Sequence, residues 1–143
     1  VLRNITYNNP TIKEEINLKV GMPYSFMQRI KMRGIGSKRM VILEASANIT
    51  EFTSYQNSIV YCYIELRPTG IIIHFRSILE TIGWIVPYHH LSIFKNGEQF
   101  SLHAAGSFVK IGGLNNTAAD EAFIRKMMRF KQDACGCSNI PED

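Results

Sequence analysis

The sequence predicts a mainly β domain with a C-terminal α-helix, arranged as an antiparallel barrel of about seven strands capped by one amphipathic helix. Three observations carry this. Between Ser58 and Lys110, runs rich in β-branched and aromatic residues alternate apolar with polar positions. Pro68-Thr-Gly70 and Lys95-Asn-Gly97-Glu98 supply turn chemistry between those runs. Thr117 to Gln132 then carries apolar residues at helical spacing. A bent sheet with one open end plugged by a helix covers both its core and its edges.

Taken in order, residues 1–11 lack a stable period and read as an N-terminal arm, residues 12–134 as a single barrel domain, and residues 135–143 as a C-terminal tail. From Ile12 to Val20, Ile16, Leu18 and Val20 alternate with polar neighbours as in a half-buried strand, although Glu14 and Glu15 also suit a short helix. Gly21-Met-Pro23 breaks the run. Phe26 to Arg33 sets Phe26, Gln28, Ile30 and Met32 opposite Met27, Arg29, Lys31 and Arg33, which favours a strand with one apolar and one cationic face. Gly34-Ile-Gly36 reads as a hairpin turn, since glycine accepts the positive φ such turns need. Arg39 to Thr50 is expected as a strand with Val41, Leu43, Ala45, Ala47 and Ile49 on one side, followed by a loop over 51–57. Ser58–Arg67 and Gly70–Ser77 form the next hairpin. Trp84–Phe94 and Gln99–Lys110 are expected as two long strands around the Asn96-Gly97 turn, with Gly112 and Gly113 closing the sheet. Thr117 caps the helix, with Asp120 in capping-box position and Glu121 beside it. Ala119, Ala122, Phe123, Lys126, Met127 and Phe130 form its packing stripe, and Gly136 ends it.

The 143 residues are 45% hydrophobic and 20% charged, enough apolar material for one core and too much for a disordered chain. No apolar run approaches the roughly 20 residues that span a bilayer. Val1 is not a methionine and no charged, apolar and small-residue leader opens the chain, which reads as a removed signal or a start within a longer protein. Three cysteines, Cys62, Cys135 and Cys137, make no disulfide framework, so a cytoplasmic site or the cytoplasmic face of a membrane is the expected location. The net charge of +4 is uneven. Residues 1–57 hold eight basic and four acidic side chains, whereas the remainder has eight of each. The densest stretch, Arg29, Lys31, Arg33, Lys38 and Arg39, is the candidate anion- or lipid-binding site. Only Phe26 adjoins it among aromatics, so nucleic acid is not the expected partner.

No catalytic residue, metal site or cofactor is expected. Gly34-Ile-Gly-Ser-Lys38 lacks P-loop spacing, though its backbone N–H groups offer a weaker phosphate cradle. His74, His89, His90 and His103 fall in expected strands, and the adjacent pair should point to opposite faces, with no Asp, Glu or Cys placed to complete a zinc shell. Cys135-Gly-Cys137 is too short for redox chemistry, and Cys62 reads as a small core residue. Asn4-Ile-Thr6, Asn48-Ile-Thr50 and Asn115-Asn-Thr117 fit glycosylation sequons, which the cysteine usage argues against. Glu44 and Glu65 sit among polar alternates that should face solvent.

Gly70-Ile-Ile-Ile-His-Phe75, Trp84-Ile-Val-Pro-Tyr-His-His-Leu-Ser-Ile93, Gln99-Phe-Ser-Leu-His103 and the closing Met127-Met-Arg-Phe130 together resemble a bacterial pleckstrin-homology-like domain over about half the chain, residues 58–132. The resemblance implies a non-catalytic binding or scaffolding module that contacts protein partners, self-associates, or lies against an anionic lipid surface. Lipid-binding members hold phosphates with Lys-x-Arg residues near an early hairpin. Lys31-Met-Arg33 and Lys38-Arg39 are the nearest match, although here they follow the second expected strand. The alternative is a small β-rich enzyme, which needs a pocket lined by His74 or His103 with a carboxylate in hydrogen-bond reach.

Overall fold

A computed structural model describes residues 2–6, 9–32, 34–47, 49, 61–76, 81–97, 99–112 and 121–135. Eight strands run antiparallel in one sheet: β1 (Leu2–Asn4), β2 (Met40–Ala45), β3 (Tyr61–Arg67), β4 (Gly70–Arg76), β5 (Thr81–Pro87), β6 (Ser92–Asn96), β7 (Gln99–Ala104) and β8 (Ser107–Gly112). Their order is β1-β5-β4-β3-β2-β8-β7-β6, so two meanders join through β2 and β8. The sheet is not closed, because the end strands β1 and β6 do not pair. The described residues also include the helices α1 (Pro10–Val20), α2 (Phe26–Lys31) and α3 (Glu121–Cys135).

The segment ending at Val20, which suited either a half-buried strand or a short helix, is the helix α1, and the strand expected from Phe26 is the helix α2. Asn9 Oδ1 accepts from Thr11 N at 2.9 Å and Ile12 N at 3.3 Å, Pro10 opens the first turn, and Gly21, with φ of 93°, ends α1. Ile16 and Val20 are buried whereas Leu18 is 82% exposed, which is a spacing of four rather than two. Ser25 Oγ accepts from Gln28 N while Gln28 Oε1 accepts from Ser25 N, a full capping box that starts α2. Gly34-Ile-Gly36 therefore leaves a helix rather than turning a hairpin.

Within the sheet, β2 ends at Ala45 rather than Thr50, and Ala47 and Ile49 are helical. Its inward side also differs: Met40 and Ile42 enter the core while Leu43 is largely exposed. A bulge between Ile42 and Glu44 then returns Ala45 to the core side. The expected Trp84–Phe94 strand breaks after Pro87 into a 3-10 turn, Tyr88–His90. The expected Gln99–Lys110 strand is the β7–β8 hairpin, whose two turn residues, Ala105 and Gly106, both hold positive φ. The Pro68-Thr69 and Gly97 turns sit where the sequence places them.

One core fills the inner face, with Ile64, Ile73, Trp84, Leu102 and Ile111 meeting Phe123, Ile124 and Met127 of α3. Ala122, expected in that stripe, is exposed, and Ile124 takes its place. Ala119, the Thr117 and Asp120 cap and the Gly136 stop lie outside the described residues. A second, smaller cluster forms where Ile16 and Val20 of α1 cover Ile72 and Ile85 on the opposite face of the sheet. This double burial explains the unbroken apolar run of β4, buried from Gly70 to Phe75. α1 comes so close that a Cβ on Gly70 would lie 2.4 Å from Val20 Cγ1.

Candidate functional site

The predicted basic residues sit around α2. Arg29 and Lys31 lie on the helix and Lys38 and Arg39 on the approach to β2, all exposed, while Arg33 lies outside the described residues. Arg29, Lys31 and Arg39 form no ion pair among the described residues. Arg39 instead lays its guanidinium over the Tyr61 ring, 4.8 Å from the centroid. Of the Gly34–Lys38 backbone N–H groups, which offered only a weak phosphate cradle, two are already engaged: Gly34 N donates to Arg29 O and Ser37 N to Ile64 O.

Sequence reasoning missed the apolar company of these cations. Leu18, Met22, Phe26, Met27 and Ile30 are each between 57% and 82% exposed, and they account for five of the eight large exposed hydrophobics among the described residues. The Ser25-x-x-Gln28 capping pair was the available signal: read as a helix, Phe26 and Ile30 fall on one face. That face is rigidly mounted. Tyr24 meets Phe130 of α3 edge-on at 6.4 Å, and Lys126 Nζ donates to Met32 O at 2.8 Å and to Gly34 O at 3.1 Å. Beyond α2, Ile35 O accepts from Leu66 N and Ser37 Oγ from Ile64 N, which fastens the segment to β3.

A second constellation lies on the α1 side of the sheet, in a cleft of about 340 Å³ whose walls include Ile12, Lys13, Ile16, Glu65, Arg67 and His74. Glu65, expected to face solvent, has a half-buried side chain. Its Oε1 lies 3.0 Å from His74 Nε2, and its Oε2 accepts from Arg67 Nε at 2.7 Å. Arg67 Nη1 donates onward to Asn17 Oδ1 at 3.1 Å and Gly21 O at 2.8 Å, locking β3 to the end of α1. Burial pushes the Glu65 carboxyl up, but the hydrogen bonds from His74 and Arg67 and their charges outweigh it, leaving the carboxyl below its ordinary range. Tyr63 stacks on His74 with centroids 4.4 Å apart. The hairpin register fixes this group: with Arg67 opposite Gly70, Tyr63 falls opposite His74 and Glu65 opposite Ile72. Glu44, by contrast, is exposed as expected.

His89 and His90 do not point apart in a strand; they share the 3-10 turn with ring centroids 4.1 Å apart. His103 packs against Phe94 and Phe108 and has no carboxylate partner among the described residues. Those residues contain no group of three or more His, Cys, Asp or Glu side chains able to hold a metal. Cys62 is fully buried, and burial pushes its thiol up to about 12. Cys135 is the last residue of α3, and Cys137 lies outside the described residues. No helix among the described residues is long and apolar enough to cross a membrane. The chain matches no family model, no curated protein and no solved structure.

Proposed function

We propose that this is a non-catalytic binding module that docks on an anionic membrane surface through α2. The observation that carries the reading is that exposed Phe26, Met27 and Ile30 share α2 with Arg29 and Lys31, on a mount fixed by α3, with exposed Lys38 and Arg39 following on the approach to β2. An apolar face enters the headgroup boundary while cations meet anionic lipid, the division of labour of interfacial helices. The finer, pleckstrin-homology-like reading is supported by seven strands in two meanders that, with β1 set aside, carry one C-terminal helix. The cations precede β2 instead of filling a hairpin, so the docking surface here is a helix rather than a phosphate-holding turn.

The enzyme alternative draws on the His74–Glu65 pair beside a cleft, the arrangement it needs. Its chemistry argues the other way. His74 Nε2 is spent on Glu65 and Nδ1 is buried, so neither ring nitrogen can reach a substrate proton. Thr6, the hydroxyl on the cleft wall, is engaged with the Thr81 backbone.

Liposome flotation tests the membrane reading. A juxtamembrane cation contributes about 1 kcal/mol near an anionic surface, so neutralising Arg29, Lys31, Lys38 and Arg39 should weaken binding to phosphatidylserine vesicles close to a thousandfold. Phe26→Ser with Ile30→Ser should weaken it independently of salt, whereas the charge term fades at high ionic strength. Flotation that ignores both sets of substitutions, or equal binding to neutral vesicles, would sink the proposal.

A further inference from the structure

The cleft between α1 and the sheet has the makings of a ligand site. Four isoleucines, Ile5, Ile12, Ile16 and Ile72, supply an apolar wall, and Glu65, Arg67, His74 and Lys13 supply the polar remainder. A volume of about 340 Å³ lies within the range of small-molecule pockets. The polar side is built rather than incidental: Arg67 and His74 are buried, and the three charged or titratable groups of β3 and β4 hold one another at 2.7 and 3.0 Å. His74 is only 9% exposed and directs its Nε2 to Glu65.

The charge balance selects the ligand. Glu65 is neutralised by Arg67, which leaves Lys13, exposed and in no ion pair among the described residues, as the surplus charge of the cleft. The geometry points to a site for a small amphipathic anion, with its aliphatic body on the α1 isoleucines and its acidic head toward Lys13. A long-chain lipid would present the same chemistry as a free short acid, so chain length distinguishes the two sources. This site lies under α1, whereas the docking helix is held by α3, so it stands or falls independently of membrane binding.

The test is a titration of the intact chain with octanoate, octanol and octylammonium, followed by the methyl NMR signals of Ile5, Ile12, Ile16 and Ile72. Octanoate should shift those four methyls saturably, with octanol at least about tenfold weaker and octylammonium weaker still. Lys13→Glu, at an exposed position, should raise the octanoate Kd about tenfold, and Ile12→Trp should abolish the shifts by filling the cleft. Dodecanoate binding more tightly than octanoate would assign the site to a longer acyl chain, and equal binding would assign it to a short acid. Octanol matching octanoate, shifts confined to Ile30 on α2, or a Lys13→Glu protein that binds unchanged would each overturn the assignment.

Discussion

Arg67→Met should destabilise the protein by about 3 kcal/mol, visible as a lower midpoint in urea with an unchanged slope. The guanidinium makes three hydrogen bonds at once, to Glu65, Asn17 and Gly21, and so ties the middle of the sheet to the C-terminal end of α1. Its removal leaves the Glu65 carboxylate half-buried with His74 as its remaining partner, which is the expensive half of the substitution. The estimate is set at the low end for a buried pair because the Glu65 side chain keeps 21% exposure. Adding Glu65→Leu to Arg67→Met should restore much of the loss, since an apolar pair of similar volume carries no desolvation penalty. A single variant within about 0.5 kcal/mol of the parent would show that the triad is no clamp.

The same carboxyl predicts an acid limb in stability. Glu65 sits below its ordinary range in the folded chain, so its ionised form favours folding. That contribution is fully present above the unfolded value of about 4.3 and is lost as pH falls from there through the lower folded value. Glu65→Gln should flatten this limb below about pH 4.3. The comparison must be made between the two proteins because Glu15, beside Arg3, and Glu121, beside Lys95, also lie low and fall in the same window. An unchanged limb in Glu65→Gln would move the acid sensitivity to those exposed pairs.

What could be read from the letters followed the range of the physics. Short-range signals held: Pro68-Thr69 and Gly97 turn two hairpins, and Phe123 and Met127 are buried under a helix. Failures came where two periods coincide. Ile16 and Val20 are four apart, which fits alternate strand positions as well as one helix face, and only the Asn9-Pro10 cap breaks the tie. Ala105 hides the β7–β8 turn because alanine rarely holds positive φ. The cleft needed a third dimension: Glu65 looks solvent-facing on its own strand and is enclosed only because α1 crosses the outer face. Yet the His74–Glu65 pairing was accessible from the hairpin alone, since a two-residue turn at 68–69 dictates that Tyr63, Glu65 and Arg67 share a face with Ile72 and His74. The exposed apolar face of α2 is hidden in the sequence because its alternation favours a strand, which assigns Phe26 and Ile30 to a core they never enter.

Phe123→Ala should cost about 3–5 kcal/mol, a large share of the roughly 5–15 kcal/mol that holds a typical domain together. Phe123 is 5% exposed at the start of α3, next to Ile124 and one turn before Met127, where the helix presses on the core shared by both meanders. The cavity has little chance of collapsing, because α3 is held at several other points. Lys95 of β6 pairs with Glu121, Lys126 reaches the end of α2, and the helix rests on the 3-10 turn at Tyr88. Tyr88 in turn donates its hydroxyl to Arg67 O, so strain at Phe123 is passed to the strand that carries the charged triad. Arg129→Ala, exposed on the same helix, should change stability by less than about 0.5 kcal/mol. Urea unfolding of the two variants side by side separates a packed helix from a loosely attached one: if Phe123→Ala unfolds with the midpoint of Arg129→Ala, α3 does not roof the core, and neither the mount for α2 nor the docking surface built on it survives.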